Sequence, residues 1–478
     1  MKSTAHLFKE NARRALSDSN LQHALARAKS GFVDKRRKAI AALPEFESIR
    51  EQAKRIKDHA LANLDYYLEC YEEKVCESGG HVHWAGTAKE ACEIVVGICK
   101  KTNAKNVTKG KSMAGEEIGI NDALTRAGIE PIETDLGEYI LQLAKEPPSH
   151  IIAPAVHKTR EQVADLFHAN HRQYGYLKKL SEIPDLVAEA RKIMRAQFLS
   201  ADVGITGANF LIAETGTGVI VTNEGNGDLT ATLPRVHIVT AGIEKVVPTL
   251  EDATTLLRVL ARSATGQEMS AYTTFSTGPR RTGDQDGPQE YHVVLIDNGR
   301  TRILGNEFRE ILRCIRCGAC LNHCPVYGSI GGHAYGWVYP GPMGAVLTPA
   351  MLGLREAGDL PNACSLNGRC EVVCPVQIPL PQMLRALRAD QFRRELTTKT
   401  TRYALRLWAY FAQRPRLYQA ITRLAIAALN RFAQSKGRFS HLPFAGGWTK
   451  SRDFPAPQES TFLSTYRNKD HKTKNKDR

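Results

Sequence analysis

Apolar residues recur at three- and four-residue spacing through Ile49, Ala53, Ile56, Ala60, Leu64 and Tyr67, with charged residues filling much of the other face. That period predicts amphipathic helix, and residues 1–78, poor in glycine, read as helical throughout. The segment is expected to cap the next domain; the alternative is an arm that embraces a partner. From Gly79 the pattern changes. Short extended stretches at 81–84, 106–108, 130–134 and 149–153 alternate with helix-like stretches at 87–101 and 115–127. Strands separated by helices predict βαβ units and a mainly parallel sheet. After a helical connection over 158–199 the texture becomes strand-rich, at 210–213, 218–222, 237–240 and 291–296. Residues 60–300 are therefore expected to form an α/β domain.

The remaining chain reads as helical and basic. A helix over 307–313 leads into a cysteine-rich segment, and another over 380–396 closes it. Residues 402–432 carry Leu405, Trp408, Tyr410, Phe411, Leu417, Tyr418, Ile421 and Leu424 among arginines, broken by Pro415. Two amphipathic basic helices follow from that pattern. Packing or docking on an acidic partner is favoured for them over peripheral contact with an anionic membrane. An extended strap is expected over 442–457, and a basic disordered tail over 467–478.

Composition narrows the class. At 478 residues, with 42% hydrophobic and 24% charged residues, the chain suits a globular protein of two to four domains. No window approaches the twenty apolar residues of a membrane span, the apolar run at 424–429 being far too short. The opening residues lack an export signal, so a cytoplasmic location is expected. The net charge of +15 raises nucleic-acid binding, but its distribution argues against it. Residues 391–434 alone hold nine Lys/Arg against one acid, Glu395. The basicity is a C-terminal property, and no nucleic-acid partner is expected.

Seven of the eleven cysteines lie in two runs. The first, Cys314-Ile-Arg-Cys317-Gly-Ala-Cys320-Leu-Asn-His-Cys324-Pro325, has the C-x2-C-x2-C-x3-C-P spacing of bacterial iron–sulfur ligation. The second, Cys364-Ser-Leu-Asn367-Gly-Arg-Cys370-Glu-Val-Val-Cys374-Pro375, has asparagine at the second ligand place. Four cysteines this close would crowd one tetrahedral zinc, and disulfides would need export. In such motifs the fourth cysteine ligates the other cluster. Cluster 1 is thus assigned Cys314, Cys317, Cys320 and Cys374, as [4Fe–4S]. Cluster 2 is assigned Cys324, Cys364 and Cys370, with Asn367 at the atypical fourth position, as [4Fe–4S] or [3Fe–4S]. Replacing a thiolate by a neutral amide should raise the potential of cluster 2. Cys70, Cys76, Cys92 and Cys99 sit at no ligand spacing and are expected to be buried thiols. The glycine- and proline-rich segment 327–363 is expected to cover the clusters; a sharper reading makes exposed Trp337 and Tyr339 an electron exit.

Glycine-rich stretches at 204–209, 214–218 and 223–228 match neither the dinucleotide-binding nor the P-loop pattern. Tight turns are the favoured reading. The alternative is a small-molecule or anion site, with Lys109, Lys111 and Ser112 contributing and Glu214 as a base.

Lys109-Gly-Lys-Ser-Met113 with Glu116-Glu117, Glu133-Thr-Asp-Leu-Gly-Glu-Tyr-Ile140, Pro154-Ala-Val-His-Lys158, Glu214-Thr-Gly-Thr-Gly218, Asn223-Glu-Gly-Asn226 and Pro234-Arg-Val-His237 together resemble the LUD domain. A LUD domain, two ferredoxin-type runs and a basic C-terminal region resemble the lactate-utilisation protein B family over nearly the whole chain. The resemblance implies an isomerase/CoA-transferase-like sheet, although fold alone confers no chemistry. It also implies a cytoplasmic electron-transfer subunit in oxidation of L-lactate to pyruvate, partnered by A- and C-type subunits. No flavin or nicotinamide motif is present, so the subunit is expected to be a non-catalytic component. The alternative is a LUD-domain enzyme on a small anionic substrate, with the clusters as redox sensor. The expected layout is an N-terminal helical arm (1–59), a LUD α/β domain (60–300), a ferredoxin-type α-helical domain (301–396) and a helical C-terminal region with tail (397–478).

Overall fold

The computed structural model describes residues 3–433, 437–442, 449, 452–457 and 460–466. The chain divides into two compact units, Met1–Asp390 and Gln391–Arg478.

Ten strands build the first unit: β1 (His81–Ala85), β2 (Asn106–Lys109), β3 (Glu130–Glu133), β4 (Val203–Gly207), β5 (Phe210–Ile212), β6 (Thr217–Thr222), β7 (Val236–Gly242), β8 (Val246–Val247), β9 (Tyr272–Ser276) and β10 (Glu290–Ile296). Six form one sheet in the order β1-β10-β7-β4-β2-β3. Every pairing in it is parallel, with β4 set on β7 from Val203↔Val236 to Gly207↔Thr240. Helices cover both faces, so β7 and β10 are buried almost throughout, as buried parallel strands are. Helix Ala88–Lys101 closes one face through Ala91, Val95 and Ile98. Helix Leu64–Glu77 closes the other through Leu64, Leu68, Tyr71 and Val75. The smaller sheet, β8-β5-β6-β9, stands beside it.

Three predictions of local structure change. Residues 203–207 form β4, at the centre of the large sheet, where glycine-rich turns were expected. Gly204 belongs there because helix Asn226–Thr232 presses on the strand, and a Cβ would lie 1.8 Å from the Thr230 carbonyl oxygen. Residues 149–153 are not a strand. Their polar groups are taken up instead by the cysteine-rich region: Tyr327 donates its hydroxyl to the Ser149 carbonyl (2.9 Å), and the Gly332 N–H donates to Ser149 Oγ (3.3 Å). The helix expected over 115–127 is two, broken at Gly119, whose φ of 72° ends one and starts the next.

The N-terminal segment forms helices Phe8–Ser17, Ser19–Ala41 and Phe46–Ala62 ahead of Leu64–Glu77. Helix Phe46–Ala62 buries Phe46, Ile49, Ala53, Ile56 and Ala60 against helix Leu250–Ala264 and the turn at Arg309–Arg313. These helices, the β5–β6 region and the cysteine-rich region share one hydrophobic core. Segment 327–363 lies within it. Trp337 (6% exposed) and Tyr339 (1%) are buried, so they offer no exposed exit. Helix Gly341–Leu352, nearly all of it buried, completes the cover.

In the second unit, helices Lys399–Ala412 and Pro415–Ala433 meet at the break expected before Pro415. The first buries no residue. On the second, Leu417, Ile421, Leu424 and Phe432 form an exposed apolar stripe. Of the expected strap, Phe454–Pro455 pairs antiparallel with Arg438–Phe439; much of the strap and the whole tail at 467–478 lie outside the described residues. Among the described residues no helix is long and apolar enough to cross a membrane.

Candidate metal centres

The two cysteine runs fold alike. In each, a residue of positive φ (Arg316 at 60°, Leu366 at 58°) is followed two places on by a glycine of positive φ (Gly318 at 71°, Gly368 at 78°). A four-residue helix comes next, Ala319–Asn322 or Arg369–Val372, and then Cys-Pro. The two left-handed positions curl the backbone so that side chains two and three places apart face one point. Glycine at the second removes the Cβ penalty.

All seven cysteines of the runs are free thiols. Cys314, Cys317, Cys320 and Cys374 line one enclosed void with Ile151, Ile315, Met343 and Ile378. Burial, then the neighbouring thiols, pushes Cys317 and Cys320 far above the ordinary thiol range. Cys374 is pushed to about 11, burial leading and Cys314 contributing. Around the second centre, burial first and then Cys364 and Cys324 push Cys370 to about 12. Burial also raises Cys324, with Cys364 adding to it. Clustered, buried thiols that resist ionisation by themselves are what a bound cationic group would relieve. The donors therefore suit iron–sulfur clusters. Backbone N–H groups already point at sulfur: Leu366 to Cys364 (3.2 Å), Ile378 to Cys374 (3.4 Å) and Tyr327 to Cys324 (3.5 Å). Asn367 is exposed, and its Oδ1 accepts the Arg369 N–H at 3.1 Å. Its side chain caps the turn.

Arginines from the N-terminal helices and from helix Leu380–Arg393 hold the second run in place. Arg50 donates to the carbonyls of Cys374 (2.7 Å) and Glu371 (3.2 Å), Arg36 to Val373 (3.0 Å), and Arg388 to Cys364 (2.7 Å). The first centre also has a buried cationic collar. Lys57 donates to the Glu244 carbonyl at 2.6 Å; burial lowers it to about 8 against the pull of Glu244 and Cys314. Lys245 is likewise lowered to about 8, by burial and then by Arg316. Arg316 lies 4.6 Å over the Tyr339 ring and reaches Glu244 at 3.3 Å. Burial would raise the Glu244 carboxyl, but Arg300, then Arg316 and Lys245, hold it at about 2. Arg300 pairs with Glu244 (2.5 Å) and with both oxygens of Glu117 (2.9 and 2.8 Å), and the Tyr339 hydroxyl donates to Glu117 (2.5 Å). This network joins the end of the sheet to the first cysteine run. Lys57, Glu244 and Arg300 escaped the sequence reading, since they come from remote segments and form no motif; Glu117 entered it only as part of the LUD-like stretch.

Beyond that network, at the carboxyl ends of β2, β4 and β7, lies a cavity of about 230 Å³. Lys111 and Ser112 line it. Lys109 does not; it is fully buried between Glu116 (2.8 Å) and Glu133 (2.9 Å). Glu214 accepts the Leu250 N–H (2.7 Å) outside the cavity. Of the remaining cysteines, Cys99 is buried, Cys70 and Cys92 are half-buried, and Cys76 is exposed. Cys76 thus departs from expectation because it lies in the last turn of helix Leu64–Glu77, off its buried stripe.

Comparison with known proteins agrees with this layout. Residues 68–296 match the LUD domain, 310–378 a 4Fe-4S dicluster domain, and 379–471 the C-terminal domain of lactate utilisation protein B. The chain is 42% identical to an uncharacterized electron transport protein, YkgF, of Escherichia coli, over 96% of each chain. It is 42% identical to lactate utilization protein B of Lysinibacillus sphaericus, covering 99% of this chain and 98% of that one. To lactate utilization protein B of Bacillus licheniformis it is 43% identical, over 97% and 96%.

Proposed function

Starting from the fact that the chain belongs to the lactate utilisation protein B family, we propose that it is the iron–sulfur electron-transfer subunit of an L-lactate oxidation system. In this reading it passes single electrons between a partner dehydrogenase component and a downstream acceptor, alongside A- and C-type subunits. The observation that carries it is the gathering of seven thiols about two neighbouring points, four of them around one void. Cys314, Cys317, Cys320 and Cys374 hold the first centre. Cys324, Cys364 and Cys370 hold the second, with Asn367 at its open place. When bound, the clusters supply one-electron exchange. The residues of the chain do the rest. The arginines that clamp the second run fix the spacing of its thiols, segment 327–363 excludes water, and the collar of Lys57, Lys245 and Arg316 offsets negative charge at the first centre. The layout of arm (1–59), LUD domain (60–300), cluster domain (301–396) and C-terminal region (397–478) belongs to the same proposal.

The test is iron and acid-labile sulfide per chain after anaerobic purification, with EPR in both redox states, followed by mixing with the partner subunits and L-lactate. Two centres that become reduced on mixing support the reading. Iron-free protein that still sustains lactate oxidation would end it.

A further inference from the structure

Strands β2, β4 and β7 end at the cavity described above, in the position where open parallel sheets place ligands. One wall belongs to the first cysteine run: Arg316, between Cys314 and Cys317, lines both this cavity and the four-thiol void, as does Ile151. The other walls come from the turns after β2 and β4, from β6 and from helix Leu250–Ala264.

Its polar groups are unequally satisfied. Glu244 is taken by Arg300 and Arg316, and Glu117 by Arg300 and Tyr339. Two carboxylates are thus matched by two guanidinium groups. Lys245 is left over on the wall; its pull from other charges includes no hydrogen-bonded partner. Asn209 uses Oδ1 to accept the Val221 N–H (2.9 Å), which leaves its amide N–H2 for the cavity. Thr222 Oγ1 is buried without a partner. A buried donor left unmet is costly, so groups of this kind in a cavity wall are matched by what enters it. Asp135 and Glu224 also line the cavity, together with Lys111, whose ammonium donates to the Ile152 carbonyl; the two carboxylates outnumber that one cation and disfavour a second negative charge beside them.

We propose that this cavity binds a small organic monocarboxylate bearing a further hydroxyl or keto oxygen. Its carboxylate sits on Lys245 beside Arg316, and its other oxygen meets Asn209 and Thr222. The ligand then lies against the wall that carries the first centre. The inference goes beyond the electron-transfer reading and does not need it: a chain that transfers electrons but binds no such anion overturns this inference alone.

Calorimetric titration of the full-length, cluster-loaded protein with L-lactate, glycolate and pyruvate tests it, with propane-1,2-diol and inorganic phosphate as the contrasting probes. Saturable binding of at least one carboxylate is expected, with the diol at least tenfold weaker. Lys245→Met should weaken carboxylate binding tenfold or more at unchanged iron content. If that variant loses iron, Asn209→Asp decides instead: a negative charge on the wall should weaken the carboxylate at least tenfold more than the diol, which carries no charge to repel. Absence of saturable carboxylate binding would overturn the site. Phosphate bound more tightly than every carboxylate, or affinity unmoved in the deciding variant, would overturn the assignment. The EPR signal of the first centre should also shift on saturation; binding without that shift would remove the contact with its wall.

Discussion

The two cysteine runs repeat one another at an offset of 50 residues, Cys314 to Cys364 and Cys324 to Cys374, and share the same sequence of left-handed positions. Their surroundings do not repeat. The first run lies in the shared core, with Cys317 and Cys320 buried and with Lys57, Lys245 and Arg316 around Cys314. The second also buries two cysteines, Cys370 and Cys374, in that core, but no such collar is assigned to it and its Asn367 is open to solvent. The local turn therefore determines where thiols can converge, while remote segments determine what charge and dielectric they meet. Two centres built on one local design should differ in potential because of that second layer.

The largest effect that would break this comparison is expected at Cys374. Though it belongs to the second run, Cys374→Ala should abolish the first centre, removing about half of the iron, whereas Cys364→Ala should spare the first centre's EPR signal. The reverse outcome would mean that each run serves its own centre.

Acid should act next, and on the first run. His150 packs on Gly318, bonds Asn322 (2.9 Å) and stacks on Phe32 (5.6 Å). Burial lowers it to about 4. The unfolded chain takes up this proton near pH 6.5 and the folded chain only near 4. Stability from this group is thus constant above about 6.5 and declines as pH falls towards 4, by at most about 3 kcal/mol. Thermal denaturation across that range should show the decline, and His150→Gln should flatten it.

A smaller effect is expected at the collar. Lys57→Met removes a buried positive charge and should lower the first centre's potential by on the order of 50 mV, the one-electron equivalent of about 1 kcal/mol. Redox titration should find the second centre unmoved. Least is expected at Asn367, where water screens charge. Asn367→Cys should complete the second ligand set, raise its iron content and lower its potential. An unchanged iron count and potential would show that this position faces no cluster.

Much of the fold could be read from residue order. The parallel sheet followed from strands spaced by helices, and the break before Pro415 from one residue. β4 was hidden because its two glycines look like turn residues, while each serves a close approach, Gly204 to helix Asn226–Thr232 and Gly207 to Ser112. Residues 149–153 looked like a strand because Ile151 and Ile152 are apolar; those side chains line the cavity beside the cysteine run instead. Trp337 and Tyr339 looked available for a partner, since a glycine-rich context gives no sign of burial. The thiols were legible because ligand spacing is local. The collar was not, because Lys57, Lys245 and Arg316 meet only when the chain has folded.

The proposed exchange of cysteines between the runs has a consequence for biosynthesis. With Cys374 completing a site begun at Cys314, and Cys324 waiting for Cys364 and Cys370, neither centre can be filled while the ribosome is still making the intervening helix Gly341–Leu352. Iron delivery must come after nearly the whole first unit has been synthesised, and a chain truncated before residue 364 would leave four thiols with neither ligand set complete.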